Sequence, residues 1–485
     1  MDETHNSLDR LFMPRSIAIV GASPKDGPRV QGNNYIRGSI GLGYKGKIYP
    51  VHPSGENILG FQSYKSVRDI PDEIDLVIFS VPIKAVLKVM ADCVAKGVKF
   101  VHLFTAGFSE TGVAEFAETE KQMMAIARNG GIRIVGPNCM GIHCPEGGLS
   151  FQPFYPNDSG PVSFFSQSGQ LAGFFLMLGG AHKIGFSKVV SFGNAIDLKA
   201  HDFLAYLADD PKTEIIGSYL EGLTHGREFF EAAKKVTPKK PLIIYKGGQT
   251  EGGARATRSH TAAIAGSQEI WQAMCRQTGI ITVDSLQEMT CTISAFQRAP
   301  LPKGNRIAIV GGAGGASVTM TDLAEKEGLK VPHLSAESVE QLREFIPPAG
   351  NSVMNPLDLG FEAYQSNAFT TLLKCLREDP NIDALFFLQP IGIFHLFMGR
   401  LGVKGIIELT LLIKDQLGKP FYPIVEREDV FGGREYIDEV TERYHEGGLP
   451  TFPSFEIGAK VLNNLWNYQQ YLSAIAEGSF RNNFT

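Results

Sequence analysis

The chain has 485 residues, of which 43% are hydrophobic and 20% are charged. This length exceeds what one compact core supports and predicts about three domains. The ordinary balance of apolar and charged residues excludes a disordered, collagen-like or coiled-coil protein. The net charge of -5 leaves no basic excess for a phosphate backbone, so we expect no nucleic-acid partner.

The cysteines and the N-terminus bear on the compartment. Six cysteines are scattered without a C-x-x-C pair, so neither a disulfide framework nor a zinc site is indicated. The N-terminus carries acidic residues and has no apolar signal region, and the longest apolar run, 384–394, is interrupted by Gln389 and Pro390. We therefore expect a cytoplasmic protein with no bound metal and no membrane span.

Residues 1–145 predict a doubly wound α/β domain. Apolar, β-rich runs recur here, each followed by a turn of small residues and a helix-like stretch. Continuous apolar strands that alternate with helices are typical of a parallel sheet covered on both faces. The predicted strands lie within residues 16–23, 46–53, 75–82, 99–107 and 131–138.

The same pattern continues in residues 146–298 and again in residues 299–466, which predicts two more α/β domains. Proline-bearing segments at 152–161 and 297–305 are the expected linkers. The final residues, 467–485, are expected to form a C-terminal tail that includes an amphipathic helix. The predicted strands of these domains lie within 161–169, 188–194, 214–222, 241–248, 306–315, 331–334, 383–390 and 419–425.

The first predicted turn does not suit a nicotinamide cofactor. Gly21 is not followed by the G-x-G-x-x-G pattern, and the second strand ends at His52 and Pro53, where an NAD site needs an acidic residue. Three other strand ends, 80–82, 105–108 and 136–139, carry small or polar residues at the edge where such sheets bind ligands. They indicate a ligand site, although any α/β domain needs small residues at some of these turns.

Two predicted helix N-termini have the composition of anion sites. One begins at Ser166, Ser168 and Gly169, and the other at Gly314, Gly315 and Ser317. If both helix N-termini point at the same position, they would stabilise a phosphoryl group during its transfer, with no metal ion from this chain. The alternative is that these residues only cap their helices.

His260 stands out among eleven histidines because it lies in a segment of small residues, 252–266, between a strand and a helix. We expect this segment to be mobile and His260 to be able to form a bulky adduct. A carboxylate would hold one tautomer of the ring while the other nitrogen attacks phosphorus. Glu221, at a strand end of the same domain, is the best candidate, and the alternatives are a structural histidine and an ordinary strand-end acid.

The segment GGARATRSHTAAIAGS, residues 252–267, resembles the phosphohistidine segment of the NDP-forming acyl-CoA synthetases, the superfamily of succinyl-CoA synthetase. The resemblance extends over nearly the whole chain and implies three doubly wound domains. These would be a Rossmann-like CoA-binding domain, a flavodoxin-like domain with the phosphohistidine, and a second flavodoxin-like ligase domain. Further matching motifs are SIAIVGAS, YKGKIYPVHP, SVP, GPNCMGI, SQSGQLA, SFGN, YLEG, GGAGG and NPLDLG.

The resemblance also implies a reaction: an acid, ATP and CoA are interconverted with acyl-CoA, ADP and phosphate through an acyl phosphate and phosphorylated His260. Glu221 would orient His260, and the two helix N-termini would hold phosphate. The succinyl-CoA synthetase turn after the second strand contains a lysine, whereas residues 53–56 are Pro-Ser-Gly-Glu, which leaves the CoA phosphate contacts open. The residues implied to line CoA are Gly21, Ser23, Val81, Pro82, Thr105, Asn138 and Cys139.

The ATP-grasp domains of this superfamily have no counterpart in the sequence, so the resemblance implies a partner. An ATP-grasp β subunit in an α2β2 hetero-oligomer would carry ATP or ADP with Mg2+, and a small carboxylic acid would be the other substrate. Two further possibilities stay open: a CoA-binding regulatory module without catalysis, and a superfamily enzyme that performs a further step on the acyl-CoA.

Overall fold

A computed structural model describes residues 8–25, 27, 30–261, 267–312, 314–348, 350–359, 366–426 and 434–478. The chain divides into two compact units, Met1–Leu286 and Gln287–Thr485. In the described residues the first unit contains two sheets and the second contains a third.

The first sheet and its helices follow the chain in the predicted alternation. Its strands are apolar on both sides, and every residue of the first strand is buried, because helices cover both faces. The elements are α1 (Asp9–Phe12), β1 (Ser16–Val20), α2 (Gln31–Gly41), β2 (Lys47–Val51), β3 (Leu76–Phe79), α3 (Ile83–Lys96), β4 (Phe100–Leu103), α4 (Ala114–Asn129) and β5 (Arg133–Val135).

The strand order of this sheet is β2-β1-β3-β4-β5, with all neighbours parallel. Tyr64 pairs in parallel with Val51 as a single bridge on the free side of β2. With that bridge counted as a short third strand, the order is 3-2-1-4-5-6, which is the Rossmann order. The prediction of a Rossmann-like domain is therefore confirmed, and its switch point lies between β1 and β3.

The second sheet has the order β11-β10-β9-β7-β8-β6. Its strands from β7 onward follow the flavodoxin order 2-1-3-4-5, and β6 is added antiparallel to β8. The elements are β6 (Gly141–His143), β7 (Ser159–Ser166), α5 (Gly169–Ala181), β8 (Phe186–Ser191), α6 (Ala200–Asp209), β9 (Ile215–Leu220), α7 (Gly226–Val236), β10 (Leu242–Lys246), α8 (Glu251–Thr261), α9 (Gln268–Thr278) and β11 (Ile281–Val283).

The second unit is also flavodoxin-like. Its order is β12-β13-β14, and single parallel bridges extend it: Lys330 and Leu357 pair on the free side of β12, and Phe452 pairs with β14. The expected strand near 331–334 is thus reduced to the bridge at Lys330. The elements are α10 (Leu286–Arg298), β12 (Ile307–Val310), α11 (Gly315–Lys326), α12 (Ala336–Arg343), α13 (Ser366–Glu378), β13 (Ala384–Gln389), α14 (Ile391–Leu417), β14 (Phe421–Val425), α15 (Arg434–Glu446) and α16 (Phe455–Ala476).

Elements of the structure lie across or close to each of the expected boundaries at 145, 298 and 466. Strand β6 precedes residue 145 but hydrogen-bonds to β8, so the first sheet already ends at β5. Helix α10 buries Cys291 and Ala295 in the core of the second unit, so that unit begins near residue 287 rather than 299. Helix α16 continues through residue 466 to Ala476, and Tyr471 near its end is buried.

All six cysteines are buried, and none of them forms a disulfide bond. None of the helices in the described ranges combines the length and hydropathy that crossing a bilayer requires.

Candidate functional site

A cavity of about 490 Å³ lies between the carboxyl edges of the two sheets of the first unit. It brings together five of the seven residues expected at CoA, Val81, Pro82, Thr105, Asn138 and Cys139, and two of those expected at phosphate, Ser168 and Gly169. The other residues of its wall are Ser80, Phe104, Ala106, Met140, Gln167, Gln170, Gly193 and Asn194.

Hydrogen bonds fix the turns that form the first wall of the cavity. The Thr105 hydroxyl donates to the Val81 carbonyl oxygen at 2.7 Å, which ties the end of β4 to the end of β3. Asn138 has a φ of 57°, and its backbone N-H donates to the Thr105 carbonyl oxygen at 3.0 Å. This wall therefore presents backbone groups and short side chains whose positions are fixed by hydrogen bonds.

Cys139 is a wall residue rather than a nucleophile. Its thiol is buried and lies 3.5 Å from the Leu103 carbonyl oxygen. Burial raises the pKa of Cys139 well above its ordinary value, because an apolar environment disfavours the thiolate. The neutral thiol can pack against a ligand but cannot attack one.

Gly21 and Ser23 border the cavity without lining it. Gly21 has a φ of 100°, and a Cβ there would lie 2.1 Å from the Ser80 carbonyl oxygen. Only glycine fits, because β1 and β3 are adjacent at this switch point. The Ser23 N-H donates to the Asn33 side-chain oxygen at 2.9 Å, and the Asn33 amide donates back to the Ser23 carbonyl oxygen at 3.0 Å. Asn33 thus holds the turn, a role the sequence did not reveal.

The expected anion site of the second sheet is a capped helix N-terminus. The Ser168 hydroxyl accepts from the Leu171 N-H at 3.3 Å as the N-cap of α5. The buried Ser166 hydroxyl donates to the Ser168 carbonyl oxygen at 2.7 Å and accepts from its N-H at 3.1 Å. Ser168, Gly169 and Gln170 line the cavity, whereas Ser166 shapes the turn beneath them. The first turn of a helix offers unpaired N-H groups and positive potential to an anion.

Glu221 follows β9 directly and is buried. The Tyr219 hydroxyl donates to its carboxylate at 3.3 Å. Burial, and next the negative charge of Glu221, raise the pKa of Tyr219 well above its ordinary value. Glu221 does not line the cavity, but Gln167 does, and the Gln167 side chain bonds to the backbone of Glu221.

The backbone of His260 lies in the last turn of α8, so the segment around it is helical up to Thr261. The small-residue pattern of 252–266 predicted a connection between a strand and a helix, whereas the structure has helix α8 at Glu251–Thr261. The side chains of residues 258–261, and residues 262–266 altogether, lie outside the described residues. The pairing of Glu221 with His260 and the expected mobility of residues 252–266 stay predictions.

The glycine turn of the third sheet lies in the second unit. Gly314 caps α11, and its N-H donates to the Asp358 carboxylate at 3.4 Å, while the Ser317 hydroxyl donates to the Gly312 carbonyl oxygen at 3.0 Å. Gly315 is the first residue of α11. An acidic side chain therefore lies beside the turn where phosphate was expected. The motif NPLDLG contains Asp358, but the contact of its carboxylate with Gly314 is visible only in the folded structure.

Sequence reasoning missed a polar group beside Asn138. The Asn138 amide donates to the Asn194 side-chain oxygen at 3.4 Å, and the Asn194 amide donates to Glu110 at 2.7 Å. Glu110 also accepts from the Gly107 N-H at 2.6 Å. The group connects the ends of β4, β5 and β8 at the cavity. The sequence shows Ser-Phe-Gly-Asn at 191–194 as a motif. It does not show that Asn194 pairs with Asn138 and Glu110, because these residues are far apart in the chain.

The cavity has the size and lining of a small-molecule site. Its volume is within the range of roughly 300–1,000 Å³ typical of small-molecule sites, and its wall combines backbone groups with short polar side chains and a few apolar ones. In the part of the chain that the structure describes, no three His, Cys, Asp or Glu side chains are arranged to hold a metal ion.

Three family models match successive parts of the chain. A CoA binding domain matches residues 15–145, a succinyl-CoA ligase like flavodoxin domain matches residues 159–296, and a ligase-CoA domain matches residues 307–403. The matches follow the three sheets in order.

Relatives cover almost the whole chain. It is 38% identical over 445 residues to the alpha subunit of acetate-CoA ligase [ADP-forming] II from Pyrococcus furiosus, covering 92% of this chain and 94% of that one. It is 34% identical over 481 residues to acetate-CoA ligase [ADP-forming] II from Archaeoglobus fulgidus, covering 96% of this chain and 68% of that one.

A solved structure agrees with these relatives. Acetyl-coenzyme A synthetase 1 of Ca. Korarchaeum cryptofilum, in complex with phosphate and ADP, superimposes with a TM-score of 0.81 at 32% identity, covering 97% of this chain and 98% of that one. The fold and the relatives agree. The chain belongs to the family of the ADP-forming acyl-CoA synthetases and corresponds to their alpha subunits.

Proposed function

We propose that this chain works as the alpha subunit of an ADP-forming acyl-CoA synthetase and transfers phosphate through His260. The observation that supports this most directly is the cavity, because the strand ends of a CoA-type domain and the N-terminus of α5 line the same space. A thioester at the end of a pantetheine arm and a phosphate at the helix would meet there. This is the arrangement that acyl transfer to phosphate needs.

The proposed chemistry begins in the direction that consumes acyl-CoA. A phosphate oxygen attacks the thioester carbonyl carbon, the C-S bond breaks, and CoA leaves as a thiol with a proton from phosphate. The first-turn N-H groups at Gly169 and Gln170 would hold the anionic phosphate, and Thr105 and Asn138 would align the arm. Positioning and electrostatic stabilisation then supply the rate enhancement.

The second step moves the phosphoryl group from the acyl phosphate to the chain. A ring nitrogen of His260 attacks phosphorus, the N-P bond forms, and the bond to the acyl oxygen breaks to release a carboxylate. Glu221 would hold the N-H of the other ring nitrogen and so fix the tautomer. ADP then takes the phosphoryl group from His260 and becomes ATP. The glycine turn at Gly314, Gly315 and Ser317 is the second proposed phosphate contact.

The nucleotide step calls for a partner. The Pyrococcus relative is named a subunit, and the Archaeoglobus relative is longer than the part this chain matches. We propose an ATP-grasp β subunit that binds ATP or ADP with Mg2+, in a cytoplasmic α2β2 assembly. Acetate, which appears in the names of several relatives, represents the proposed class of small carboxylic acids.

Labelling of His260 tests the proposal. The chain is mixed with its partner subunit and ATP labelled in the terminal phosphate, and we expect an acid-labile, base-stable label that His260→Ala abolishes. His225→Ala is the matched control, because His225 is an exposed histidine of the same unit. An undiminished label in His260→Ala would refute the proposal. CoA binding without any label in the unmodified chain would favour a regulatory module instead.

A further inference from the structure

The strand ladder around Glu221 stops one residue before it. On one side the Gly247 N-H donates to the Leu220 carbonyl oxygen at 2.8 Å, and on the other the Gln167 N-H donates to the Tyr219 carbonyl oxygen at 3.1 Å. Glu221 follows β9 as a non-strand residue. Something other than the ladder must hold the backbone that carries this carboxylate.

Gln167 holds it from the β7 side. Its side-chain oxygen accepts from the N-H of Glu221 at 2.5 Å and from the N-H of Gly222 at 3.1 Å, and its amide donates to the Gly222 carbonyl oxygen at 3.1 Å. One side chain thus makes three bonds to two successive backbone units. Gln167 also lines the cavity, so the same residue contacts both the proposed phosphate space and the Glu221 backbone.

Lys246 holds it from the β10 side. Its ammonium donates to the Glu221 carbonyl oxygen at 2.6 Å and to the Gly247 carbonyl oxygen at 2.5 Å, and lies 5.9 Å from the centre of the Trp271 ring. Burial lowers the pKa of Lys246, while the negative charge of Glu221 acts in the opposite direction. Hydrogen bonds from an ammonium are stronger than those between neutral groups, so this contact is a firm one.

We infer that Gln167 and Lys246 are positioning residues that clamp Glu221 through its backbone and thereby set where its carboxylate meets the histidine of α8. This inference rests on the proposed function, since it assigns the clamp a part in phosphoryl transfer. Neither side chain reacts. A displacement of about 1 Å in a catalytic arrangement can cost on the order of 100-fold in rate, so a loosened strand end should slow transfer without changing CoA binding.

Lys240 offers a matched control on the same chain segment. Its ammonium also donates to two backbone carbonyl oxygens, those of Leu207 and Asp210, each at 2.8 Å. Burial lowers the pKa of Lys240 as well. Lys240 precedes β10 at its amino end, however, whereas Lys246 ends the strand. Replacing either lysine removes the same number of similar bonds, and only one of them touches Glu221.

The test compares Lys246→Met, Gln167→Met and Lys240→Met in single-turnover labelling of His260 by labelled ATP in the assembled enzyme. We expect the first two variants to slow labelling by roughly 10- to 100-fold, and Lys246→Met, which lies outside the cavity wall, to leave the Kd for CoA unchanged. Lys240→Met should label within about twofold of the rate of the unmodified chain, in keeping with a site outside the transfer machinery. An equal loss of labelling rate in Lys240→Met would show that the loss in Lys246→Met is a general effect of lowered stability, which would overturn the inference.

A double variant and an exchange measurement complete the test. In a Glu221→Gln background, Lys246→Met should slow labelling little further, because both act through one carboxylate; an undiminished extra loss would overturn the inference. Hydrogen exchange of the Gly222 amide should become faster in Gln167→Met whether or not the enzyme is active. An unchanged exchange rate would show that Gln167 does not hold this backbone. If the unmodified chain takes no label but exchange of the Gly222 amide still rises in Gln167→Met, the proposed function is refuted, whereas the contact between Gln167 and the Glu221 backbone is confirmed.

Discussion

Glu221 and Cys139 show how surroundings assign roles to single residues. Both follow predicted strands closely and both are buried. The Cys139 thiol faces backbone carbonyl oxygens and stays neutral, whereas the Glu221 carboxylate accepts from Tyr219 and is carried on a backbone that Gln167 and Lys246 hold. One is suited to packing against a ligand, and the other to orienting a ring.

Replacement of Glu221 by Gln should keep the fold and slow phosphoryl transfer by a factor on the order of hundreds, in line with the loss of one preorganised charge contact. The amide retains the size of the side chain but not its charge. Rapid-quench labelling of His260, with Kd for CoA as the control, measures the effect. Equal rates in both proteins would show that another group orients the histidine.

At the level of elements, one ion-pair arrangement recurs in the two units. Arg15 precedes β1 and donates from its backbone N-H and its guanidinium to Asp75, which precedes β3. Arg306 precedes β12 and donates in the same way to Asp383, which precedes β13. Each pair locks the amino ends of two adjacent strands, at the edge opposite to the ligand-binding one.

These pairs predict a dependence of stability on acid. Burial raises the pKa of Asp75 and Asp383, but the hydrogen bonds from the arginines outweigh it, so both pKa values lie below the ordinary value. A lowered pKa stabilises the fold above about pH 4, the ordinary aspartate range, and this stability is lost as pH falls through the folded value.

Urea unfolding of the chain and of Asp75→Asn between pH 2 and 7 measures this effect. The difference in free energy of unfolding should be largest near pH 7 and should shrink below pH 4. Arg15→Met should show the same trend, since it removes the other half of the pair. A difference that does not vary with pH would contradict the prediction.

The N-cap of α5 provides a second test at the same level. Ser168→Ala should lower the free energy of unfolding by about 1 kcal/mol through loss of the cap, and it should also raise the KM for phosphate several-fold. Ser454 caps α16 in the same way, with the Ile457 N-H at 3.3 Å. Ser454→Ala should therefore lose similar stability with an unchanged KM. An unchanged KM for phosphate in both variants would show that the N-terminus of α5 does not bind phosphate.

At the scale of the whole molecule, three sheets with related strand orders are used for different tasks. In the first two, the cavity lies at the carboxyl edges of the strands, where the ends of β3, β4 and β5 and the ends of β7 and β8 form its wall. The first sheet offers strand ends to a long ligand, and the second offers a helix N-terminus and Glu221. Their carboxyl edges meet at one cavity, which neither sheet could form alone.

Calorimetric titration of the isolated chain should show binding of CoA and no measurable binding of NAD. The first turn holds Gly21 against Ser80 with no room for a side chain, and the second strand ends in Val51 and His52 without an acid for the ribose hydroxyls. Without its partner the chain should also turn over no ATP. Preferential binding of NAD would contradict both the domain assignment and the proposed function.

The alternation of strands and helices, the glycine turns and the family could all be predicted from the amino-acid sequence, because apolar runs and small-residue turns are local patterns. The sequence also singled out Val81, Thr105, Asn138, Ser168 and Glu221 before any packing was known. It did not indicate that β6 pairs with β8 or that α10 and α16 pack into the core of the second unit, because these contacts depend on distant partners.

Which groups each candidate residue contacts depends on how the distant parts of the chain pack together. This packing separates Ser166, which shapes a turn, from Ser168, which lines the cavity, and it puts Asp358 beside Gly314. The bonds of Gln167 and Lys246 to Glu221 span 54 and 25 residues of sequence. Contacts of this kind arise when parallel strands bring their carboxyl ends to one edge, and no local pattern in the chain records them.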